Sequence, residues 1–259
     1  MDESTSSNIS AIITSLISTA AACGAIPDPV SATLISSSSA IIDRLINKSL
    51  LAVFNRNGTK RDCERLGVAY NVAAQTVEKN RKAGKSERTD DFFDARHGHF
   101  NRAEDLVAAS LRYCIDDPES IKSVCYGRFI GNIPFCNYSH RTMIAMNKTI
   151  SELTYDELCL IAAIYGCPHF HLDALETFLR SEGFIEIEVR EFYVRILHLK
   201  TMGILAQTRY FHSESAIGEI YLSEMGHGLY SLMELNLLEP SDIAHHQSMI
   251  SRFAGTVQH

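Results

Sequence analysis

The chain has 259 residues, 46% of them hydrophobic and 21% charged, with 14 Gly, 6 Pro, 7 Cys and no Trp. Those proportions exclude collagen-like, low-complexity and wholly disordered chains, and the length suits two domains that can each bury a core without disulfides or a structural metal. A formal net charge of −7 gives no general attraction for nucleic-acid phosphates or anionic lipid, so such a contact needs a local basic patch.

The seven cysteines, at 23, 63, 114, 125, 136, 159 and 167, are odd in number, scattered and never spaced C-x-x-C. They read as reduced core thiols of a cytosolic protein. Asp2 and Glu3 stand where a secretory signal carries Lys or Arg, so export is not expected.

No charged residue occurs from Ser4 to Pro27, and after Asp28 none until Asp43. Ile9, Ile12, Ile13, Leu16 and Ile17 fall at helical spacing, with Ser and Thr on the opposite face. Asp28 and Pro29 suit the start of a second helix, whose stripe is Leu34, Ile35, Ile41 and Ile42. Residues 1–56 are thus expected to hold an uncharged amphipathic hairpin. Hydroxyls that back-bond to helix carbonyls tolerate a protein interior or a bilayer, so the hairpin suits self-association first and membrane insertion second.

Residues 57–150 read as a helical domain. Its first helix ends in a basic stretch from Lys79 to Arg88, and three more follow: Asp90 to about Tyr113, one started by Asp117-Pro118-Glu119, and one capped by Ser139. Residues 151–236 begin with Thr154-Tyr155-Asp156-Glu157, which fits a capping box. Helices from about Asp173 and Val189, then strand-like runs Ile204 to Phe211 and Ala216 to Leu222, come next, and Ser223 caps a short helix. Residues 237–259 are read as a tail.

Leu199-x-x-Met202-Gly203-Ile204-Leu205 and Tyr221-Leu222-Ser223-Glu224-Met225-Gly226 resemble the entry to and exit from the wing of winged-helix domains. The resemblance implies a mainly α chain, a helical N-terminal region followed by a winged-helix (α+β) domain. It also brings DNA binding into view, with Arg190, Arg195, Lys200 and Arg209 as the candidate nucleic-acid contacts. Glu186, Glu188, Glu191, Glu214 and Glu219 leave that surface close to neutral, so nucleic acid is disfavoured as a partner.

Val124-Cys125-Tyr126-Gly127-Arg128-Phe129-Ile130-Gly131-Asn132-Ile133 and the junction Ile150 to Cys159 resemble segments of bacterial abortive-infection proteins of the Abi-alpha group. That resemblance spans most of residues 40–236. It implies defence against phage exerted on the infected cell itself, and it brings no catalytic residue with it.

No G-x-S-x-G, Walker, dinucleotide, H-E-x-x-H or kinase pattern occurs. Asp94, His97 and His99, and separately Cys167, His169 and His171, are clusters with metal-ligand chemistry, but both read better as surface and turn residues than as zinc sites. No catalytic residue, metal or cofactor is nominated. The sequence therefore points to a non-enzymatic defence protein, cytoplasmic or peripheral at the inner membrane. It would act through homo-oligomerisation, with membrane disruption by the hairpin and contact with another protein also open. The alternatives are a winged-helix transcription regulator and a structural assembly oligomer.

Overall fold

The computed structural model describes Ser49 and residues 59–94, 101–167, 170–181, 187–212 and 215–254. The chain is mainly helical and forms two compact units, Met1–Glu152 and Leu153–His259. The stripe Ile9, Ile12, Ile13, Leu16, Ile17, Leu34, Ile35, Ile41 and Ile42 lies outside the described residues, as do His97, His99 and His169. No helix among the described residues is long and apolar enough to cross a membrane.

In the first unit, α1 (Lys60–Lys82) starts at a capping box: the Thr59 hydroxyl accepts from Asp62 N and the Asp62 carboxylate accepts from Thr59 N. Gly84, at φ +72°, turns the chain beyond its end. A short 3₁₀ turn (Asp91–Phe93), α2 (Arg102–Asp116), a second such turn (Ser120–Lys122), α3 (Ser123–Asn132) and α4 (His140–Glu152) follow. Two sequence expectations are corrected. The helix expected from Asp90 starts at Arg102, because Asn101 and Glu104 form its capping box. Asp117 does not start an α-helix; its carboxylate is bound by Lys122, by Tyr126 Oη at 3.2 Å and by Glu119 N at 2.9 Å, and α3 begins only at Ser123.

Two glycines four apart on α3 let it meet α1 backbone to backbone. A Cβ on Gly127 would lie 2.6 Å from the Ala69 carbonyl oxygen and 2.7 Å from Val72 Cβ; one on Gly131 would lie 2.6 Å from both the Ala73 carbonyl oxygen and Thr76 Cβ. Real contacts of that kind stay beyond 3.0 Å. At the far end of this seam Asn80 Nδ2 donates to Asn132 Oδ1 at 2.8 Å, both residues buried. At the near end Arg65 donates to the Ile115 carbonyl at 2.6 Å, to Ser120 Oγ at 3.1 Å and to the Pro118 carbonyl at 3.2 Å. The six described cysteines are free. Burial pushes the Cys114 and Cys125 thiols up to about 11, so both stay protonated.

The second unit runs α5 (Tyr155–Tyr165), β1 (Phe170–His171), α6 (Leu172–Ser181), α7 (Ile187–Thr201), β2 (Leu205–His212), β3 (Ser215–Leu222), α8 (Glu224–Leu232) and α9 (Pro240–Ala254). The sheet is antiparallel with order β1-β3-β2; Phe170 pairs with Ile220, and Leu205 with Leu222. Gly203, at φ +72°, makes the turn from α7 into β2. Leu158, Ile161, Phe170, Leu175, Phe192, Ile196, Ile220, Leu229 and Ile250 fill the core.

Two further differences from the sequence reading lie here. Asp173 sits inside the first turn of α6 rather than capping it. The segment read as a tail holds α9, whose His246, Met249, Ile250 and Phe253 are buried at helical spacing.

Overpacking a seam of this kind costs about 1–3 kcal/mol per added methyl group. Gly127→Ala and Gly131→Ala are each expected to destabilise the first unit by about that amount, seen as a lower midpoint in urea unfolding. A midpoint unchanged in both variants would show that the two helices do not touch through these positions.

Candidate functional site

The densest polar constellation of the second unit is built on the first turn of α5. The capping box holds that turn: Thr154 Oγ1 accepts from Glu157 N at 3.2 Å, and Glu157 Oε2 accepts from Thr154 N at 2.8 Å. Glu157 still has a free oxygen, Oε1, and His198 Nδ1 of α7 donates to it at 2.5 Å. The carboxylate accepts only, so the proton lies on Nδ1. Asp156, one residue earlier, receives His246 Nε2 of α9 at 3.0 Å on Oδ1. Arg195 Nε of α7 stands 3.0 Å from its Oδ2, as an ion pair whose angle is not that of a hydrogen bond. Tyr155 Oη donates to Asp242 of α9 at 2.8 Å. Three consecutive side chains therefore tie α5 to the two helices packed beside it. Both carboxylates also lie at the positive end of the α5 dipole.

His246 is 1% exposed, its ring stacked beside Phe192, and its Nδ1 is buried without a hydrogen-bond partner. Burial lowers its pKa below the ordinary histidine value; the Asp156 carboxylate opposes that shift, while His245 and Arg195 add to it. Among the described residues, His198 and His246 are hydrogen-bonded to carboxylates and not to a hydroxyl or thiol. No group of three His, Cys, Asp or Glu residues among those described is placed to hold a metal ion. What this arrangement does chemically is fix an orientation.

Helix α7 buries Val189, Phe192, Ile196 and Leu199, is tied along its flank through Arg195 and His198, and turns its other side outward. Ile187 is 75% exposed, Val194 56% and Leu197 37%, in line along the helix with exposed Glu191 and Thr201. The candidate nucleic-acid contacts do not converge. Arg195 is held by Asp156, with Glu191 a further 3.8 Å away; Lys200 donates to Gln207 Oε1 at 2.6 Å; Arg190 is exposed on α7. Arg209 lies on β2, and its side chain is outside the described residues. The basic exit of α1 is also largely paired, Arg81 with Glu87 and Arg88 with Asp90, each at 2.5 Å.

Sequence reasoning used Asp156 and Glu157 as a helix start and missed their second role. The signal was present, because two acids in the first turn leave one carboxylate more than the capping box uses. Nothing local announces His246, 90 residues from its partner. Comparison with family models, curated proteins and solved structures finds no match for the chain.

Because the folded state holds His246 neutral below the ordinary histidine pKa, the unfolded chain takes up a proton first as pH falls below about 6.5. Stability of the second unit is therefore expected to fall between pH 7 and 5. His246→Gln, whose Nε2 can still donate to Asp156, is expected to flatten that slope in thermal melts across this range. Equal slopes in both proteins would assign the dependence to other groups.

Proposed function

We propose that this is a non-enzymatic protein of the abortive-infection kind, in which residues 153–254 form a winged-helix module that contacts protein rather than DNA. Its N-terminal apolar stripe serves self-association and, in the assembled state, membrane disruption. The observation that carries the module's role is the composition of the outward face of α7.

The order α5, β1, α6, α7, β2, β3 and the sheet order β1-β3-β2 support the winged-helix reading, with β2 and β3 as the wing. In that arrangement α7 takes the place of the helix that reads DNA. A helix with that duty offers Arg, Lys, Asn or Gln to base edges and phosphates. Here Ile187, Val194 and Leu197 point outward instead, Glu188 and Glu191 are exposed among them, and two of the cations are engaged within the unit. An exposed apolar stripe on a polar-rimmed helix is the signature of a protein contact.

The defence role draws its support from the sequence resemblance and from the uncharged N-terminal stripe. Cells expressing full-length Ile12→Asp/Leu16→Asp are expected to lose phage protection while circular dichroism of the purified variant is unchanged. Full protection by that variant would overturn the reading. Titration of full-length wild type with duplex DNA at low salt is expected to give no binding. Salt-dependent binding that disappears in Arg190→Ala and Arg209→Ala would make the module a DNA reader.

A further inference from the structure

We propose that α7 pairs with α7 of a second copy of the chain, antiparallel, about a two-fold axis passing close to Val194. The proposal rests on the protein-contact reading of α7 and names its partner. Ile187, Val194 and Thr201 recur every seven residues along α7 and fall in one narrow stripe, all three exposed. One edge of the stripe carries Arg190 and Leu197, and the other carries Glu191, Arg195 and His198.

In an antiparallel pair related by a two-fold perpendicular to both helices, each edge meets the same edge of the partner and the sequence runs in reverse. With Val194 on the axis, Val194 meets its own copy and Ile187 meets Thr201. The aliphatic stem of Arg190 covers Leu197, and Glu191 stands opposite Arg195 and His198. Arg195 holds Asp156 through Nε, which leaves its Nη groups for Glu191 of a second copy, so this edge offers both a donor and an acceptor to its own copy. Glu191 is 59% exposed, and its cation within the chain, Arg195, is 3.8 Å away, beyond hydrogen-bond reach, which leaves the carboxylate able to accept from a second copy.

The test uses full-length protein with Cys23, Cys63 and Cys167 replaced by Ser and the buried thiols kept. On mild oxidation with copper phenanthroline, Val194→Cys is expected to give a disulfide-linked dimer, because that position meets itself. Ile187→Cys alone is expected to give none, since its two copies lie about 21 Å apart along the pair. Ile187→Cys/Thr201→Cys together should cross-link. Light scattering should show Val194→Glu halving the mass in solution, because the two introduced carboxylates face each other across the axis.

A monomeric wild type, or a mass untouched by Val194→Glu with no Val194→Cys cross-link, overturns the proposal. Cross-linking of Ile187→Cys alone overturns the antiparallel arrangement. A monomer that also fails to bind DNA removes this partner and leaves the protein-contact reading standing, whereas salt-dependent DNA binding removes both.

Discussion

The second unit is organised by two neighbouring carboxylates at the start of one helix. Asp156 and Glu157 begin α5, and between them they engage Arg195 and His198 of α7 and His246 of α9. Each of those contacts fixes rotation as well as position. Val189, Phe192, Ile196 and Leu199 turn one side of α7 inward and leave Val194 on the opposite side, while His198 and Arg195, three apart, are tied along its flank. The exposed apolar stripe therefore follows from the buried one, and the acids fasten the helix along the border between them. Glu157 is buried, and its two oxygens are divided between a backbone amide and an imidazole, which is how a charged group at that depth is tolerated.

The first unit is held differently. Its main seam has no charge in it: α1 and α3 approach until their backbones touch, through Gly127 and Gly131 against the Ala69 and Ala73 turns. The polar groups are gathered at the ends of the seam. Asp117, Lys122 and Tyr126 are buried together, and Arg65 satisfies three acceptors around the same loop. A buried ion pair of this kind adds little net stability compared with apolar residues of the same shape, but it admits one arrangement of the loop and penalises others. Burial raises the Tyr126 hydroxyl's pKa, so it stays a neutral donor to the Asp117 carboxylate.

Helices with strong local signals were legible from sequence. Thr154 with Glu157, Ser139, Ser223 and Gly203 marked helix ends that the structure places close by, because caps and left-handed glycines act over only a few residues. Where a polar residue had a distant partner instead, the local rule misled. Asp117 before Pro118 has the form of a helix start, yet its carboxylate is committed to Lys122 and Tyr126. Helix α9 was passed over because His245, His246, Gln247 and Ser248 dilute the stripe formed by Met249, Ile250 and Phe253. The polar network was invisible as a unit, since its members are separated by 41 and 90 residues and each alone has an ordinary surface explanation. The mixed charge of α7 was readable; that its outward line is apolar depended on knowing which side packs into the core.

The contact between α1 and α3 also bears on how such a chain can diverge. Where two backbones touch, neither surface has slack, so a side chain gained at position 127 or 131 must be matched by retreat at 69, 72, 73 or 76. Those positions are bound to drift in concert or stay still across descendants. The outer line of α7 is exposed and is free to be rewritten for new associates while the scaffold beneath it is inherited intact.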